Sequence, residues 1–188
     1  ASIHVQSVVR AALKAGHRVT LFATRFDGPI PPGLEGAACV QLPELPQGDP
    51  EKRAHAALQS HPRIAALLYE HGPFDLVYER YSLWSDVGMR WARVQHIPGV
   101  LEVNAPLIDE QRRHRSLVDA SGAEQVLRRQ VGAAQVTVCV SDPVADWVRR
   151  RTADVPDAQA VAARIHTVPN GVSVRRIQPQ PADPDRVV

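Results

Sequence analysis

The segment from Val100 to Leu107 places polar side chains at the end of an apolar run. Glu102 and Asn104 alternate with leucine and valine, and Pro106 follows two residues later. In parallel α/β sheets, ligands bind at the carboxyl ends of strands, and proline is favoured where a helix begins. We therefore expect Glu102 and Asn104 to project into a crevice at a strand end. The alternative is that both side chains only cap the helix that follows.

A second apolar stretch, residues 74–78, ends in the same manner. The polar and aromatic side chains that follow it are Glu79, Arg80, Tyr81 and Ser82. A guanidinium in such a loop can hold an anionic ligand or a neighbouring carboxylate. One interpretation is therefore a binding loop, and the other is a buried Glu79–Arg80 network that steadies the loop. We expect the ends of both stretches to line one cleft.

The overall composition indicates a globular domain without a special class of partner. Of the 188 residues, 44% are hydrophobic, enough to form a core, and the formal net charge is only +2. Arginines are spread along the chain, so the composition gives no reason to expect a nucleic-acid partner. The eight histidines include no HExxH or similar ligand spacing, so we expect no metal site.

The cysteines and the hydropathy indicate the compartment. Cys39 and Cys139 lie in apolar segments without CxxC spacing, so we predict that both are small core residues in a reducing environment. No apolar run is long enough to span a bilayer and no secretory leader opens the chain, so we expect a soluble, cytoplasmic protein. The sequence starts without Met inside a predicted helix and ends on residues typical of a strand, so we expect a part of a longer chain.

The elements that must position these residues alternate along the chain. The patterns predict helices at 2–15, 51–70 (two helices, or one bent at Pro62), 85–95, 107–132 and 141–151, the last capped by Ser141. They predict strands at 17–23, 37–42, 76–78, 100–103, 136–140 and 165–168. This order predicts an α/β fold with a Rossmann-like, doubly wound parallel sheet. Because such a fold normally begins with a strand, the first strand is expected upstream of Ala1.

Six short motifs, taken in order, resemble the amino-terminal half of the family-4, or group 1, glycosyltransferases. They are Ile3–Gln6, Ala15–Leu21, Tyr78–Ser82, Glu102–Leu107, Val140–Asp142 and Val168–Val172. Members of this family are retaining enzymes of the GT-B architecture, in which two Rossmann-like domains face each other across a cleft. The resemblance implies that this chain is one half of a GT-B fold.

The resemblance also implies a division of the chain and an activity. Residues 1–172 would form the acceptor domain, and residues 173–188 would form the hinge and the start of the donor domain, with Asn170 and Gly171 in the hinge motif. The complete enzyme would move a sugar from a nucleotide-diphosphate-sugar to an acceptor hydroxyl with retention, without a metal or other cofactor. The chain alone is expected to be inactive, because the family's paired-glutamate donor motif is absent from it.

Roles for the polar residues follow from the same resemblance. Asn104 lies where many relatives carry a histidine near the reacting sugar, and Glu102 would be its acidic partner in catalysis. An amide is not a general base at neutral pH, so Asn104 would position a hydroxyl by hydrogen bonds. His4 would contact donor or acceptor, or else be a surface or interdomain histidine. The 79–82 loop would border the acceptor pocket, with Tyr81 stacked on a sugar ring.

A basic cluster follows Asn104 along the chain. It consists of Arg112, Arg113, His114 and Arg115. In related enzymes such a region can contact lipid phosphates or a membrane surface, but it could equally be a solvated face. The acceptor is accordingly expected to be a small molecule, a glycan or a lipid.

Two other functions remain open from the sequence. One is a GT-B sugar-nucleotide epimerase or synthase-type enzyme, which would differ in the carboxyl-terminal half. The other is a non-catalytic module that binds a glycan or a partner protein, suggested by Asn104 in place of the common histidine. A dinucleotide oxidoreductase is less well supported, because the sequence contains no GxGxxG motif.

Overall fold

A computed structural model of the chain describes residues 3–114 and 116–171, apart from the side chain of His114. Its elements in chain order are α1 Ile3–Lys14, β1 Thr20–Ala23, β2 Ala38–Gln41, α2 Pro50–Gln59, α3 His61–His71, β3 Val77–Arg80, α4 Val87–Val94, β4 Gly99–Val103, α5 Leu107–His114, α6 Ala120–Ala133, β5 Val136–Cys139, α7 Asp142–Arg151, α8 Ala158–Ala163 and β6 Ile165–Thr167. None of these helices is both long and apolar enough to cross a membrane.

The strands of the described residues pair in parallel, in two groups. β1 pairs with β2, and β3, β4, β5 and β6 follow one another across a four-stranded sheet. The predicted α/β fold with a parallel sheet is thereby confirmed, with a break between β1 and β3. A cavity of about 910 Å³ lies at this break and is lined by residues of β1 and β3.

The core lies against one face of the four-stranded sheet. Leu101 and Val103 of β4 are fully buried there, in a cluster that includes apolar residues of α4, α6 and α7. Gly99 belongs to the same face, since a Cβ atom at Gly99 would lie 3.1 Å from the sulfur of Met89 on α4. Because side chains alternate along a strand, Glu102 must project from the opposite face.

Two of the predicted helical segments are in fact pairs of helices. Residues 51–70 form α2 and α3, which meet at Ser60 just before Pro62, as one of the two predicted alternatives required. Residues 107–132 were predicted as one helical region, and the structure divides this region into α5 and α6. The structure starts a new helix, α6, after Asp119, whose carboxylate accepts the N–H of Gly122 at 2.8 Å. An N-capping aspartate favours this second start.

Several local predictions are corrected. The helix α8 was not predicted, although Val161 on it is buried. Val94 continues the apolar spacing of Val87 and Trp91 on α4 but is exposed, because the helix ends at this residue. Ser141 occupies the N-cap position of α7 as predicted, yet its side chain makes no capping hydrogen bond. Cys139 is buried as predicted, but Cys39 is exposed. Within the described residues, β2 pairs on one side only, with β1, and Val40 is the one residue of this strand that is buried.

The two cysteines should therefore react differently with a thiol reagent. In the native chain we expect Cys39 to be labelled readily and Cys139 to resist until the protein unfolds, since burial also raises the pKa of the Cys139 thiol to about 11. Counting labelled thiols with and without denaturant measures this difference. A Cys39→Ser variant is the control and should show no native labelling; two reactive thiols in the folded wild type would contradict the placement of Cys139.

Candidate functional site

The two strand ends singled out in the sequence lie side by side. β3 and β4 are adjacent and parallel, and their register pairs Arg80 with Glu102. Both strands end at the same edge of the sheet, the edge at which α/β proteins bind ligands. The structure thus brings together the two polar segments from distant parts of the sequence.

Glu102 is the centre of a compact polar cluster. Its residue surface is only 3% exposed. Oε1 lies 2.5 Å from Nε2 of His4 and accepts a hydrogen bond from Nδ2 of Asn104 at 2.6 Å. Oε2 accepts the hydroxyl of Tyr78 at 2.9 Å and lies 3.9 Å from Nε of Arg80. We call these five residues the Glu102 cluster.

The partners of Glu102 come from three elements, which explains how a buried carboxylate is tolerated. His4 lies in the first turn of α1, Tyr78 and Arg80 project from the same face of β3, and Asn104 follows the last residue of β4. A buried carboxylate without donors would be strongly destabilising, so each of these contacts offsets part of its lost hydration. Burial, and then the hydrogen bond to Glu102, raises the pKa of Tyr78, which keeps its hydroxyl a donor.

Asn104 does not cap the following helix. Its amide nitrogen donates to Glu102, and its Oδ1 is buried without a hydrogen-bond partner among the described residues. The alternative in which Asn104 caps α5 is therefore wrong. An unpaired buried acceptor next to a strand end is instead suited to a ligand that carries a hydrogen-bond donor.

Glu79 lies on the opposite face of β3 from Arg80. Its carboxylate accepts the N–H of Met89 at 2.8 Å, at the start of α4. The approach is close, because a Cβ atom at Gly88 would lie only 2.8 Å from Oε2 of Glu79. Burial of the Glu79 carboxyl group, together with the nearby charge of Asp86, raises the pKa of Glu79 to about 7. The position of Glu79 favours a structural role, in which its carboxyl group holds the start of α4 against β3.

Asp86 was missed by the sequence analysis. It is fully buried at the N-cap position of α4, and its Oδ2 accepts a hydrogen bond from Nε of Arg129 at 2.6 Å. Nη1 of Arg90 lies 3.6 Å and Nδ1 of His61 lies 4.0 Å from its Oδ1. In the sequence, an aspartate directly before a helical pattern predicts a helix cap, but it does not predict that the side chain is buried.

Glu79 should make stability depend on pH. Its folded pKa lies above the unfolded value, so the wild type is stabilised most at low pH and loses this contribution as pH rises from about 4.5 through 7. The slope cannot exceed about 1.4 kcal/mol per pH unit. Relative to a Glu79→Gln variant, urea unfolding of the wild type should show stability falling between pH 5 and pH 8.

The exposed Glu110→Gln variant is a matched control for this comparison and should follow the pH dependence of the wild type. Parallel curves for the wild type and Glu79→Gln would show that Glu79 titrates normally in the folded protein.

Tyr81 is a buried core residue at the end of β3. It is 7% exposed, and its ring centroid lies 6.2 Å from that of Trp147 on α7. Burial raises the pKa of Tyr81, and its hydroxyl has no hydrogen-bond partner among the described residues. Trp147 in turn donates to Asp109 at 2.8 Å, which Arg151 also contacts at 2.6 Å. This packing holds α5 against α7 and leaves little of the Tyr81 ring for stacking.

The Tyr81 hydroxyl gives a simple test of its role. A buried hydroxyl without a partner contributes little to stability, so Tyr81→Phe should leave the free energy of unfolding unchanged or raise it by up to about 1 kcal/mol. Chemical denaturation measures the change. Phe74→Leu, which alters an aromatic cluster elsewhere, should destabilise by about 1 kcal/mol and shows that the assay responds. A clear loss of stability in Tyr81→Phe would mean that the hydroxyl is hydrogen-bonded.

Polar residues of β3 and its loop line the cavity between β1 and β3, Glu79 and Tyr81 among them. Tyr78, Arg80 and Ser82 form part of its wall, together with Arg53 of α2 and many apolar side chains. Ser82 is held by a 3.4 Å contact from its hydroxyl to the carbonyl of Ser85. The cavity and the Glu102 cluster thus share Tyr78 and Arg80, which connects the two.

The remaining predicted residues lie apart from this cluster. Asn170 and Gly171 are exposed and outside the helices and strands, and their hinge role stays a prediction. Residues 172–188 and Arg115 lie outside the described residues. Arg112 and Arg113 are exposed on α5, where Nη2 of Arg112 lies 4.0 Å from Glu124. Among the described residues, no three His, Cys, Asp or Glu side chains are arranged to hold a metal ion.

The fold and the cluster define a class of protein: a Rossmann-like α/β domain with a polar site at the carboxyl ends of its parallel strands. A family model described as Glycosyltransferase Family 4 matches residues 1–176, nearly the whole chain. The chain therefore belongs to glycosyltransferase family 4, as its ordered motifs predicted. Among curated proteins, none matches the chain significantly.

Proposed function

We propose that this chain is the acceptor-side half of a retaining glycosyltransferase. The complete enzyme transfers a sugar from a nucleotide-diphosphate-sugar donor to an acceptor hydroxyl. Residues 1–172 act as the acceptor domain, and residues 173–188, with Asn170 and Gly171 before them, lead into the donor domain. Family membership supports the reaction class, and the observation that carries the site is the buried Glu102 carboxylate that joins α1, β3 and β4 at their ligand-binding edge.

Asn104 is the residue we assign to catalysis, with Glu102 as the acidic partner that orients it. The unpaired Oδ1 of Asn104 is suited to accept a hydrogen bond from a hydroxyl of the reacting sugar or acceptor. An amide cannot remove the proton at neutral pH, so its contribution is orientation of the reactants. Glu102 holds the amide in place, and His4, whose side chain is 28% exposed, is available to the same ligand.

The acceptor is proposed to enter beside β3. Arg80 and Ser82 line the cavity and supply a cation and a hydroxyl there, and Arg53 of α2 also lines it and adds a second cation. These guanidinium groups suit an anionic group on the acceptor. Glu79 and Tyr81 support the shape of this region through α4 and α7. A small molecule, a glycan or a lipid all remain compatible with this description.

The donor is proposed to bind mainly through the second domain. Stabilisation of a diphosphate leaving group requires donors aimed at it from both sides of a cleft, so the isolated chain is expected to be inactive. No metal or cofactor is part of this proposal. Arg112 and Arg113 on α5 are exposed and could contact anionic lipid if the acceptor lies in a membrane.

The decisive experiment uses the complete protein that the gene encodes, with UDP-, GDP- and ADP-sugars as donors. We expect turnover with one donor, product of retained configuration, and no turnover by residues 1–188 alone. Asn104→Ala should lower kcat/KM by about tenfold or more, since a hydrogen bond used in the transition state is lost. Gln125→Ala, an exposed amide on α6, is the matched control and should retain activity.

The other outcomes are equally informative. Conversion of the donor sugar without transfer would favour an epimerase. Neither binding nor turnover with any donor would contradict the transferase and favour a module that binds a glycan or a partner protein. Turnover by residues 1–188 alone would contradict the proposed need for a second domain.

A further inference from the structure

Both oxygens of the Glu102 carboxylate already have partners within the protein. Each of its carboxylate oxygens already faces two donor groups, from His4 and Asn104 at Oε1 and from Tyr78 and Arg80 at Oε2. The carboxylate is also almost fully buried. A proton acceptor for a reacting hydroxyl must reach that hydroxyl directly. The surroundings of Glu102 therefore suit a residue that acts through its neighbours.

Two of those neighbours can present either a donor or an acceptor to a ligand. The Asn104 side chain has an NH₂ group and a carbonyl oxygen, and a neutral imidazole has one N–H and one bare nitrogen. Which atom each residue turns toward a ligand depends on which atom it turns toward Glu102. A fixed negative charge attracts the donor end of both groups.

The geometry determines the orientation of Asn104. Its Nδ2 lies 2.6 Å from Oε1 of Glu102, and the reverse orientation would bring two oxygen atoms into repulsive contact. Oδ1 of Asn104 is consequently directed away from the carboxylate, and it is buried without a hydrogen-bond partner among the described residues.

A similar argument applies to His4. Nε2 of His4 lies 2.5 Å from Oε1 of Glu102, although the contact is not aligned as an ideal hydrogen bond. Two acceptor atoms would repel each other at this distance, so a proton must lie on Nε2. In the neutral ring, Nδ1 is then the acceptor nitrogen that remains for another partner.

We propose that Glu102 is a positioning residue that sets the hydrogen-bonding polarity of the site. It leaves Oδ1 of Asn104 and Nδ1 of His4 as a pair of acceptors, so the site recognises a ligand hydroxyl as a donor. This inference rests on the proposed function and deepens it, because the hydroxyl belongs either to the transferred sugar or to the acceptor. Glu102 itself contacts neither.

The first test is the tautomer of His4 in the chain as it stands. Long-range proton–nitrogen NMR spectra of uniformly ¹⁵N-labelled residues 1–188 at pH 8.5 distinguish a ring protonated at Nε2 from one protonated at Nδ1. We expect His4 to be the Nε2–H tautomer. A ring protonated at Nδ1 would overturn the proposal, whatever the catalytic activity of the complete enzyme.

A variant tests whether the charge of Glu102 is the cause. Glutamine has nearly the same shape but presents both a donor and an acceptor, so Glu102→Gln should allow His4 to adopt a mixture of tautomers. Glu110→Gln, on the exposed side of α5, is the matched control and should leave the His4 spectrum unchanged. An unchanged Nε2–H tautomer in a folded Glu102→Gln protein would contradict the causal role of the carboxylate.

Ligand titrations distinguish the two sources of the hydroxyl. Methyl α-D-glucopyranoside represents an acceptor-type sugar and UDP-glucose represents a donor, and each is added separately while the His4 ring nitrogens and the Asn104 side-chain amide are followed. We expect one of the two probes to shift both signals and to bind about tenfold more weakly to Glu102→Gln, the effect of losing one oriented hydrogen bond. If neither probe shifts either signal, the proposed hydroxyl site is wrong.

These results separate the two proposals. The Nε2–H tautomer together with a response to a sugar, but no transfer by the complete protein, would retain the positioning role and reject the transferase. Transfer activity with His4 protonated at Nδ1 would retain the transferase and reject the positioning role. If Glu102→Gln does not fold, Asn104→Leu provides the second variant: it should abolish the response to the probe while His4 keeps its tautomer.

Discussion

The burial of the Glu102 carboxylate is the constraint on which the site depends. A charge withdrawn from water in this way requires several donors, and here they come from the first turn of α1, from β3 and from the residue after β4. Elements distant in sequence are thereby held in one arrangement. Because the carboxylate takes up the donor groups of His4 and Asn104, the same interaction that stabilises the site also determines which atoms remain for a ligand.

Glu79 lies on the opposite face of β3 from Arg80, close to the buried Asp86. Glu79 accepts an N–H at the start of α4, and Asp86 is neutralised there by arginines of α4 and α6. These contacts fix the helix that follows the 79–82 loop, whereas Arg80 faces Glu102. Alternate residues of β3 thus contact α4 on one face and the Glu102 cluster on the other.

The arrangement of the sheet agrees with membership of glycosyltransferase family 4. The parallel strands bring the polar segments of β3 and β4 to one edge, and the cavity beside β3 shares Tyr78 and Arg80 with the Glu102 cluster. The strand order, β2 and β1 on one side of a break and β3 to β6 on the other, is that of a doubly wound sheet interrupted near its centre. The cavity lies at this interruption, directly beside the Glu102 cluster.

The sequence by itself determined the class of fold and the family, because apolar periodicity and ordered motifs are local properties. It also identified the two polar strand ends, but their pairing is a property of the sheet. It did not show that Glu79 contacts α4, that Tyr81 is buried or that Cys39 is exposed. It also did not show that four donor groups surround Glu102. Those outcomes depend on strand register and on the order of strands across the sheet, which join residues far apart along the chain. Only the tertiary structure decided them.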